Sequence, residues 1–287
     1  MGRCDGRVAL VTGASRGIGK AIARRLAAEG AAVVVNSPVM GEEEGLPGTL
    51  ESAVEDLQAM GTKAAAIACD LSDPEARADL VQRASECFGP IDILVNNAAV
   101  GIMKPPSEST GDDLRFMFEL NVIAPVDLAQ QCLPNMKKQS AGWILNIGSG
   151  SHVQAELPYP SALPKEGGWT VTAYGSTKAA LDRYTMGLAH EVQEHEIFVN
   201  CMRPTAIVLT EGADFVRDIA RANPGMLEPV EMMAEGALEL CTGRHVGRVI
   251  ASRDIVHCTA RKVHSLDGKS VLGDAFLLGD PDSTAVD

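Results

Sequence analysis

Apolar residues occur along the chain in short runs that alternate with longer segments of helical periodicity. The first run covers residues 8–12, helical spacing follows at residues 21–27, and a second apolar run covers residues 32–36. Short apolar runs are typical of buried strands, whereas apolar positions three and four apart are typical of a helix with one buried face. The pattern predicts strands that alternate with helices from the start of the chain.

The same alternation continues through most of the sequence. Helices are predicted at residues 74–88, at residues 112–136 and from about Tyr174 onward. Strands connected by helices at this spacing are parallel and joined by right-handed crossovers. We therefore expect an α/β fold, a doubly wound parallel sheet of the Rossmann type with about seven strands and helices on both faces. The later strands are predicted at residues 64–68, 91–95, 143–147, 198–202 and 246–251.

Two inserted loops interrupt the alternation. Residues 38–48 are rich in glycine, proline and acidic side chains, which favours a surface loop, and residues 150–172 form the second insertion. Neither a repeat nor a low-complexity linker divides the chain. We expect residues 1–287 to form a single domain.

The turn after the first predicted strand contains Gly13, Gly17 and Gly19. Glycine at the first position suits a tight turn, at the second it admits a pyrophosphate, and at the third it lets helix and strand pack closely. The free N–H groups at the start of the helix attract phosphate. An ordinary glycine-rich turn is the alternative, but the strand, turn and helix context favours a dinucleotide site.

Four further motifs, together with this turn, resemble the short-chain dehydrogenase/reductase family. The resemblance covers most of the chain before residue 250. It implies an oxidoreductase that transfers hydride between a nicotinamide cofactor and a ketone, an aldehyde or a secondary alcohol. The four motifs are Asn96-Asn97-Ala98-Ala99, Leu120-Asn121-Val122, Asn146-Ile147-Gly148-Ser149 and Tyr174-Gly175-Ser176-Thr177-Lys178.

The resemblance also implies individual site residues. Asn121, Ser149, Tyr174 and Lys178 are the expected catalytic residues, with Asn121 keeping a water in a proton relay through a local helix distortion and Lys178 also holding the nicotinamide ribose. Asp70 has an alternative role as the cap of the helix near residue 74. The expected cofactor-binding residues are Gly13, Ser15, Arg16, Gly17, Ile18, Gly19, Ser37, Asp70, Leu71, Asn97, Ala98, Ala99, Tyr174, Lys178, Pro204 and Ile207.

The Tyr-x-x-x-Lys spacing has its own physical meaning. Residues four apart lie on one helix face, so the ammonium of Lys178 can favour the ionised form of the Tyr174 phenol. An unperturbed phenol, with a pKa of about 10, is a poor acid or base at neutral pH. Tyr174 can then exchange a proton with a carbonyl or alcohol oxygen to which Ser149 also donates a hydrogen bond. Each residue taken alone also fits an ordinary structural role.

The end of the second predicted strand favours NADP(H) over NAD(H). Relatives specific for NAD usually place an acid there, whereas this chain has Asn36 and Ser37, so no carboxylate repels a 2′-phosphate. Arg16 can reach that phosphate and Ser37 can donate to it. Two observations oppose this interpretation: Arg16 also fits a solvated loop, and Pro38 stands where many relatives have a second basic residue.

The chain departs from the family pattern at three places. Thr205 replaces the usual glycine after the sixth strand, and threonine does not readily adopt a positive φ. The insertion at 150–172 begins beside Ser149 and ends beside Tyr174, so we expect it to form a wall or lid of the substrate pocket; a surface excursion or a subunit contact is the alternative. The family's usual ending is missing from the atypical tail at 252–287.

Composition and charge exclude several classes of function. The net charge of -13 and the absence of a basic, aromatic cluster argue against a nucleic-acid partner, and Arg24 and Arg25 are interpreted as a solvated helix end. Seven scattered cysteines and six histidines without ligand spacing predict a reduced, cytoplasmic protein with no metal site. No apolar run suits a membrane span, and residues 1–6 leave no room for a signal peptide.

Two functional classes follow from these observations. The first is a cytoplasmic enzyme with a small-molecule carbonyl or alcohol substrate, expected to form a homo-oligomer, a dimer or a tetramer. The second is a catalytically silent dinucleotide-binding sensor or scaffold. A sensor needs the glycine turn but has no use for Ser149, Tyr174 and Lys178 together, so the motifs favour the enzyme.

Overall fold

The computed structural model describes residues 2–42, 48–153, 169–210 and 227–274. Within these residues, seven parallel strands form one sheet in the order β3-β2-β1-β4-β5-β6-β7. The expected doubly wound parallel sheet is confirmed. The strands are β1 (Val8–Thr12), β2 (Ala32–Ser37), β3 (Ala64–Ala68), β4 (Ile93–Asn96), β5 (Gly142–Ile147), β6 (Ile197–Arg203) and β7 (Val249–Ala251).

Helices cover both faces of this sheet. One apolar core lies between the sheet and α1, α2, α8 and α9, and a second core lies between the opposite face and α4, α6 and α7. The helices are α1 (Gly17–Ala28), α2 (Leu50–Ala59), α3 (Pro74–Arg77), α4 (Leu80–Phe88), α5 (Gly111–Phe118), α6 (Ala124–Gln139), α7 (Thr172–Val192), α8 (Val230–Leu240) and α9 (Ser252–Cys258).

The apolar run in β1 is explained by its position in the middle of the sheet. Ala9 and Val11 belong to one core, whereas Val8 and Leu10 belong to the other. Because successive side chains point to opposite faces, a strand covered on both sides must be apolar at every position. Parallel pairing with β2 and β4 then brings the carboxyl ends of these strands to one edge of the sheet.

Several predicted boundaries differ in the structure. The helix predicted at 74–88 is divided into α3 and α4, and the helix predicted at 112–136 is divided into α5 and α6. β4 begins at Ile93 rather than at residue 91, and β7 begins at Val249 rather than at residue 246. Gly247 adopts a φ of 64°, which places a turn where the strand was expected. Asp73, not Asp70, caps α3 by accepting a hydrogen bond from Glu75 N at 2.9 Å, so the capping role considered for Asp70 is wrong.

Arg25 corrects the interpretation of residues 24–25 as a solvated helix end. Its side chain is buried, and its Nε donates a 3.0 Å hydrogen bond to Glu235 in α8. Its other contact is an ion pair of 2.7 Å with Glu29. Glu235 is itself fully buried, so packing of α8 across α1 converts this helix end into an internal ion pair.

The tail after β7 packs partly around the carboxylate of Glu235. After α9, the strands β8 (Lys262–His264) and β9 (Val271–Asp274) form an antiparallel hairpin. Arg261 Nε donates to Glu235 Oε1 at 2.8 Å, and His264 Nδ1 lies 3.3 Å from Glu235 Oε2. The described part of the tail is thus anchored to α8.

Parts of the expected loops lie outside the described residues. These are residues 43–47 of the first insertion, residues 154–168 of the second and residues 275–287 of the tail. Among the residues that are described, no helix is both long and apolar enough to cross a membrane.

Candidate active site

The glycine turn after β1 has the geometry that its sequence predicts. Gly13 and Gly17 adopt φ values of 62° and 58°. A Cβ atom on Gly19 would lie 2.3 Å from the carbonyl oxygen of Gly13, and one on Gly13 would lie 2.9 Å from the Cα atom of Ala98. Side chains at these positions would collide with backbone, so the turn requires glycine for both conformation and space.

Hydrogen bonds join this turn to the end of β4. The hydroxyl of Thr12 accepts the backbone N–H groups of Asn97 and Ala98, each at 3.0 Å. The amide of Asn97 donates to the carbonyls of Thr12 at 2.9 Å and Gly13 at 3.0 Å. The Asn-Asn-Ala-Ala motif therefore fixes the shape of the glycine turn.

A cleft of about 620 Å³ opens at this edge of the sheet. Gly19, Tyr174, Lys178, Pro204 and Ile207 are not among its lining residues. The other predicted cofactor residues line it, namely Gly13, Ser15, Arg16, Gly17, Ile18, Ser37, Asp70, Leu71, Asn97, Ala98 and Ala99. Further lining residues were not among those expected to bind the cofactor: Asn36, Pro38, Cys69, Ser72, Val100, Phe116, Leu120 and Thr210. Leu120 belongs to a family motif, and Asn36 and Pro38 lie at the end of β2, but no motif indicates the other five residues.

The cleft fits the phosphate-bearing part of a dinucleotide through its glycine turn and its hydroxyl and guanidinium donors. The hydroxyls of Ser15 and Ser37 lie 3.2 Å apart, and Arg16 Nη1 lies 3.5 Å from Ser15 Oγ. The amide of Asn36 donates to backbone carbonyls of the β3 end rather than into the cleft. Among the described lining residues, Asp70 is the one acidic side chain.

Lys178 and Tyr174 lie together on α7, as their spacing predicts. The ammonium of Lys178 lies 5.6 Å from the centre of the Tyr174 ring and donates a 2.9 Å hydrogen bond to the carbonyl of Ile147. Lys178 is only 2% exposed. The carbonyl at the end of β5 thus fixes the position of the charge beside the phenol.

Asn121 lies in a π-helical turn, Glu119–Ile123, between α5 and α6. The local distortion expected near this residue is confirmed. Its Oδ1 accepts Val100 N at 2.9 Å, and its Nδ2 donates to Val100 O at 2.8 Å and to the hydroxyl of Thr177 at 3.0 Å. Asn121 therefore joins the loop after β4 to the helix that bears Tyr174 and Lys178.

Ser149 follows β5 and starts a 3₁₀ turn, Gly150–His152. Its Oγ accepts hydrogen bonds from the backbone N–H of Ser151 at 3.2 Å and from the hydroxyl of Ser151 at 2.9 Å. His152 Nδ1 pairs with Asp182 of α7. Since Ser151 acts as the donor, the hydroxyl hydrogen of Ser149 is available for another acceptor.

The segment after β6 contains Pro204, Thr205 and Ile207. Thr205 is not among the described residues with a positive φ, so it adopts a backbone conformation ordinary for threonine. The N–H groups of Thr205 and Ala206 donate to the buried carboxylate of Glu228. No sequence motif indicated Glu228, because its partners lie more than twenty residues away along the chain.

The glycine turn after β1, Ser149 after β5 and the pair of Tyr174 and Lys178 on α7 are together features of an NAD(P)-dependent oxidoreductase. The chain matches the family model for short chain dehydrogenases over residues 7–219. The protein belongs to the short-chain dehydrogenase/reductase family. Among the described residues, no group of three or more His, Cys, Asp or Glu side chains has the arrangement of a metal site.

Individual relatives agree with this assignment. The chain is 31% identical over 274 residues to a hydroxynaphthalene reductase-like protein Arp2 from Metarhizium majus, covering 95% of this chain and 93% of the relative. It is 32% identical over 215 residues to hydroxysteroid dehydrogenase-like protein 2 from Bos taurus, covering 75% of this chain. The match spans only 49% of the length of that relative.

A solved structure shows the same fold with a cofactor. The 3-oxoacyl (acyl-carrier-protein) reductase from Agrobacterium tumefaciens, with NADP bound, is 31% identical to this chain with a TM-score of 0.72. The match covers 86% of this chain and 93% of that one. Several other similar structures also contain NADP or NADPH.

Proposed function

We propose that the protein is an NADP(H)-dependent oxidoreductase that interconverts a ketone or aldehyde with a secondary alcohol, with Tyr174 as the general acid and base. The observation on which the proposal depends is the buried ammonium of Lys178, 5.6 Å from the Tyr174 ring centre. A silent dinucleotide sensor has no use for Ser149, Tyr174 and Lys178 together. Burying an ammonium is costly, so its position favours a chemical role.

The proton is exchanged at the phenolic oxygen of Tyr174. The ammonium of Lys178 lies 5.6 Å from the centre of the phenol ring, where a cation stabilises negative charge that develops on the phenolic oxygen during proton transfer. The hydroxyl of Ser149 donates a hydrogen bond to the substrate oxygen and stabilises the negative charge that develops there. A bound nicotinamide cofactor supplies or accepts the hydride. Both protein groups therefore act on the oxygen of the carbonyl or alcohol.

Asn121 supports this arrangement by its position. Its hydrogen bond to Thr177 holds α7 between Tyr174 and Lys178, and its π-helical turn interrupts the regular hydrogen bonding of the helix. We propose that this turn keeps a water close to Lys178. This water then passes protons toward Tyr174. This water relay is the role that the family resemblance implies for Asn121.

The cleft supports a preference for NADP(H) over NAD(H). Its described lining has no carboxylate at the end of β2, where one would repel a 2′-phosphate, and it contains Arg16 and Ser37. A guanidinium and a hydroxyl are both donors to phosphate oxygens. The NADP found in several similar structures agrees with this preference.

The remaining cofactor contacts are proposed at both ends of the site. Gly13, Gly17 and the N-terminus of α1 bind the pyrophosphate, and Asp70 reaches the adenine. Lys178 holds the nicotinamide ribose, and Pro204 with Ile207 contacts the nicotinamide.

We also propose that the protein forms a homo-oligomer and is located in the cytoplasm. Exposed apolar side chains outside the cleft, including Leu114 on α5 and Met186 on α7, support a homo-oligomer because such side chains are often covered at subunit contacts. Sedimentation velocity of the purified protein gives its mass in solution, and a single species at 30.2 kDa would contradict this expectation.

A screen with both cofactors tests the proposed function. The wild-type protein is assayed with NADPH and with NADH against aliphatic ketones, aldehydes, aromatic hydroxyketones, 3-oxoacyl thioesters and steroid ketones, classes that the names of the relatives suggest. The reverse reaction is assayed with the matching alcohols. Turnover with NADPH supports the enzyme. Tight NADPH binding without turnover on every class would instead favour the sensor.

A further inference from the structure

Glu228 is a buried carboxylate beside the segment that follows β6. Its Oε2 accepts the N–H groups of Thr205 at 2.5 Å and Ala206 at 3.0 Å, and its Oε1 accepts the hydroxyl of Ser252, the first residue of α9. Its own N–H donates to the carbonyl of Ile207 at 2.9 Å. One residue thus fixes three consecutive residues and joins them to α9.

Thr205 extends this network through its side chain. Its Oγ1 lies 3.2 Å from Ser252 Oγ and accepts the backbone N–H of Arg253 at 3.2 Å. Glycine, the usual residue of the family at this position, has no side chain for either contact. The substitution therefore replaces a residue of high conformational freedom with one that is hydrogen bonded to α9.

The burial of Glu228 is costly. Its side chain is nearly inaccessible, and burial raises its pKa above the ordinary value of 4.5, against the opposing effects of Ser252, Ala206, Thr205 and the Arg253 charge. A buried carboxylate is weak evidence for stability, because neutral side chains of similar size often serve as well. Its several donors on one short segment point instead to a role in fixing that segment.

We propose that Glu228 is a positioning residue for the nicotinamide end of the cofactor, and that it acts by fixing the backbone of residues 204–207. The inference rests on the proposed function, in which Pro204 and Ile207 contact the nicotinamide. Backbone groups that are already ordered before the cofactor binds lose less entropy on binding. Glu228 thereby favours the binding of the nicotinamide half and leaves the adenine half unaffected.

Two ligands distinguish this role from a purely structural one. NADPH carries the nicotinamide half that the proposal places beside residues 204–207, whereas 2′,5′-ADP contains only the adenosine phosphate half. In the full-length Glu228→Ala variant, we expect the Kd for NADPH, measured by calorimetry, to rise about tenfold, the effect of losing one or two hydrogen bonds to a charged group. The Kd for 2′,5′-ADP should stay within about twofold of the wild-type value.

The Glu228→Gln variant provides a conservative rescue. Its amide oxygen can accept the N–H groups of Thr205 and Ala206, and its NH₂ group can donate to Ser252, so most of the NADPH affinity should be retained. Glu231→Ala is the matched control, because it removes a half-exposed carboxylate from the first turn of α8. It should leave both dissociation constants unchanged.

The outcomes separate this inference from the proposed function. A wild-type protein that binds neither NADPH nor NADH overturns both. If the wild type binds NADH instead, the same comparison is made with NADH and 5′-AMP. Unchanged NADPH affinity in Glu228→Ala, or an equal loss of both ligands, overturns the positioning role alone. If Glu228→Ala does not fold, Ser252→Ala should raise the Kd for NADPH about threefold without affecting 2′,5′-ADP, and equal effects on both ligands overturn the inference.

Discussion

The amide nitrogen of Asn121 donates a 3.0 Å hydrogen bond to the hydroxyl of Thr177. Thr177 lies between Tyr174 and Lys178 on α7, and its hydroxyl also donates to the carbonyl of Tyr174 at 2.7 Å. The π-helical turn and the proposed catalytic helix are therefore connected through one buried hydroxyl. This contact links the stability of the α5–α6 region to the position of the Tyr174 backbone.

Asn121→Ala should reduce both stability and turnover. It removes three hydrogen bonds and leaves the N–H and C=O groups of Val100 without these partners, which should lower the free energy of unfolding by about 2–4 kcal/mol. Urea unfolding measures this change, and steady-state assays measure kcat. Asn135→Ala, an exposed amide on α6, is the control and should change stability by less than about 0.5 kcal/mol. Equal stabilities of the two variants would contradict the role assigned to Asn121.

Glu235→Ala should strongly destabilise the fold. The substitution leaves the buried Arg25 and the neighbouring Arg261 without their shared carboxylate. Removing one partner of a buried ion pair costs about 3–5 kcal/mol when the remaining charge has no other partner. Because Arg25 keeps its ion pair with Glu29 and Arg261 keeps one with Glu239, we expect a loss at the lower end of this range. Chemical denaturation of this variant beside Glu231→Ala measures the difference. A loss below about 1 kcal/mol would show that water compensates these arginines.

Arg16→Ala should change cofactor preference. Loss of the guanidinium removes a charge-assisted contact to a 2′-phosphate, so the Kd for NADPH should rise about tenfold or more while that for NADH changes little. Arg24→Ala removes a cation from α1, which follows Arg16, and this cation lies outside the described lining of the cleft, so the ratio of the two constants should stay unchanged. A parallel loss of NADPH and NADH affinity in Arg16→Ala would argue that Arg16 binds the shared pyrophosphate instead.

Glu228→Gln should change how stability depends on pH. Burial raises the pKa of Glu228 in the folded protein above 4.5, so the folded state favours the protonated carboxyl. The resulting stabilisation is complete below pH 4.5 and is lost as the pH rises through the folded pKa. Glutamine stays neutral, so the variant should gain stability relative to the wild type above pH 4.5, with the difference levelling off at higher pH. Denaturation at a series of pH values measures it, and a constant difference would contradict the raised pKa.

The sequence could predict the sheet because its strands are buried on both faces. In β1, every position from Val8 to Val11 contributes a side chain to one of the two cores. Because both faces of the strand are buried, its sequence is a continuous apolar run. The glycine turn could also be predicted from the sequence, because backbone conformation and close packing restrict Gly13 and Gly19 to one residue type. Local requirements of this kind restrict the residue type at each position and can therefore be recognised in the sequence.

Contacts between segments distant in the sequence could not be predicted from local sequence patterns. Arg25 and Glu235 are 210 residues apart, and nothing near either residue indicates that α8 packs across α1. Glu228 and Thr205 are separated by 23 residues, and their contact depends on the path of the chain between β6 and α8. The start of β7 was misplaced because an apolar Val246 precedes Gly247, whose positive φ makes a turn. These features follow from tertiary packing rather than from local pattern.

In the proposed mechanism, Tyr174 transfers the proton while the remaining site binds the cofactor. The decisive measurement is the steady-state rate of NADPH oxidation by Tyr174→Phe with the best carbonyl substrate, beside its Kd for NADPH. Tyr184→Phe removes the hydroxyl of a half-buried tyrosine on the same helix and is the matched control. We expect Tyr174→Phe to lose about a hundredfold to ten-thousandfold in kcat with an unchanged Kd, and Tyr184→Phe to keep wild-type turnover. A Tyr174→Phe variant with a kcat within about twofold of the wild type would contradict the account.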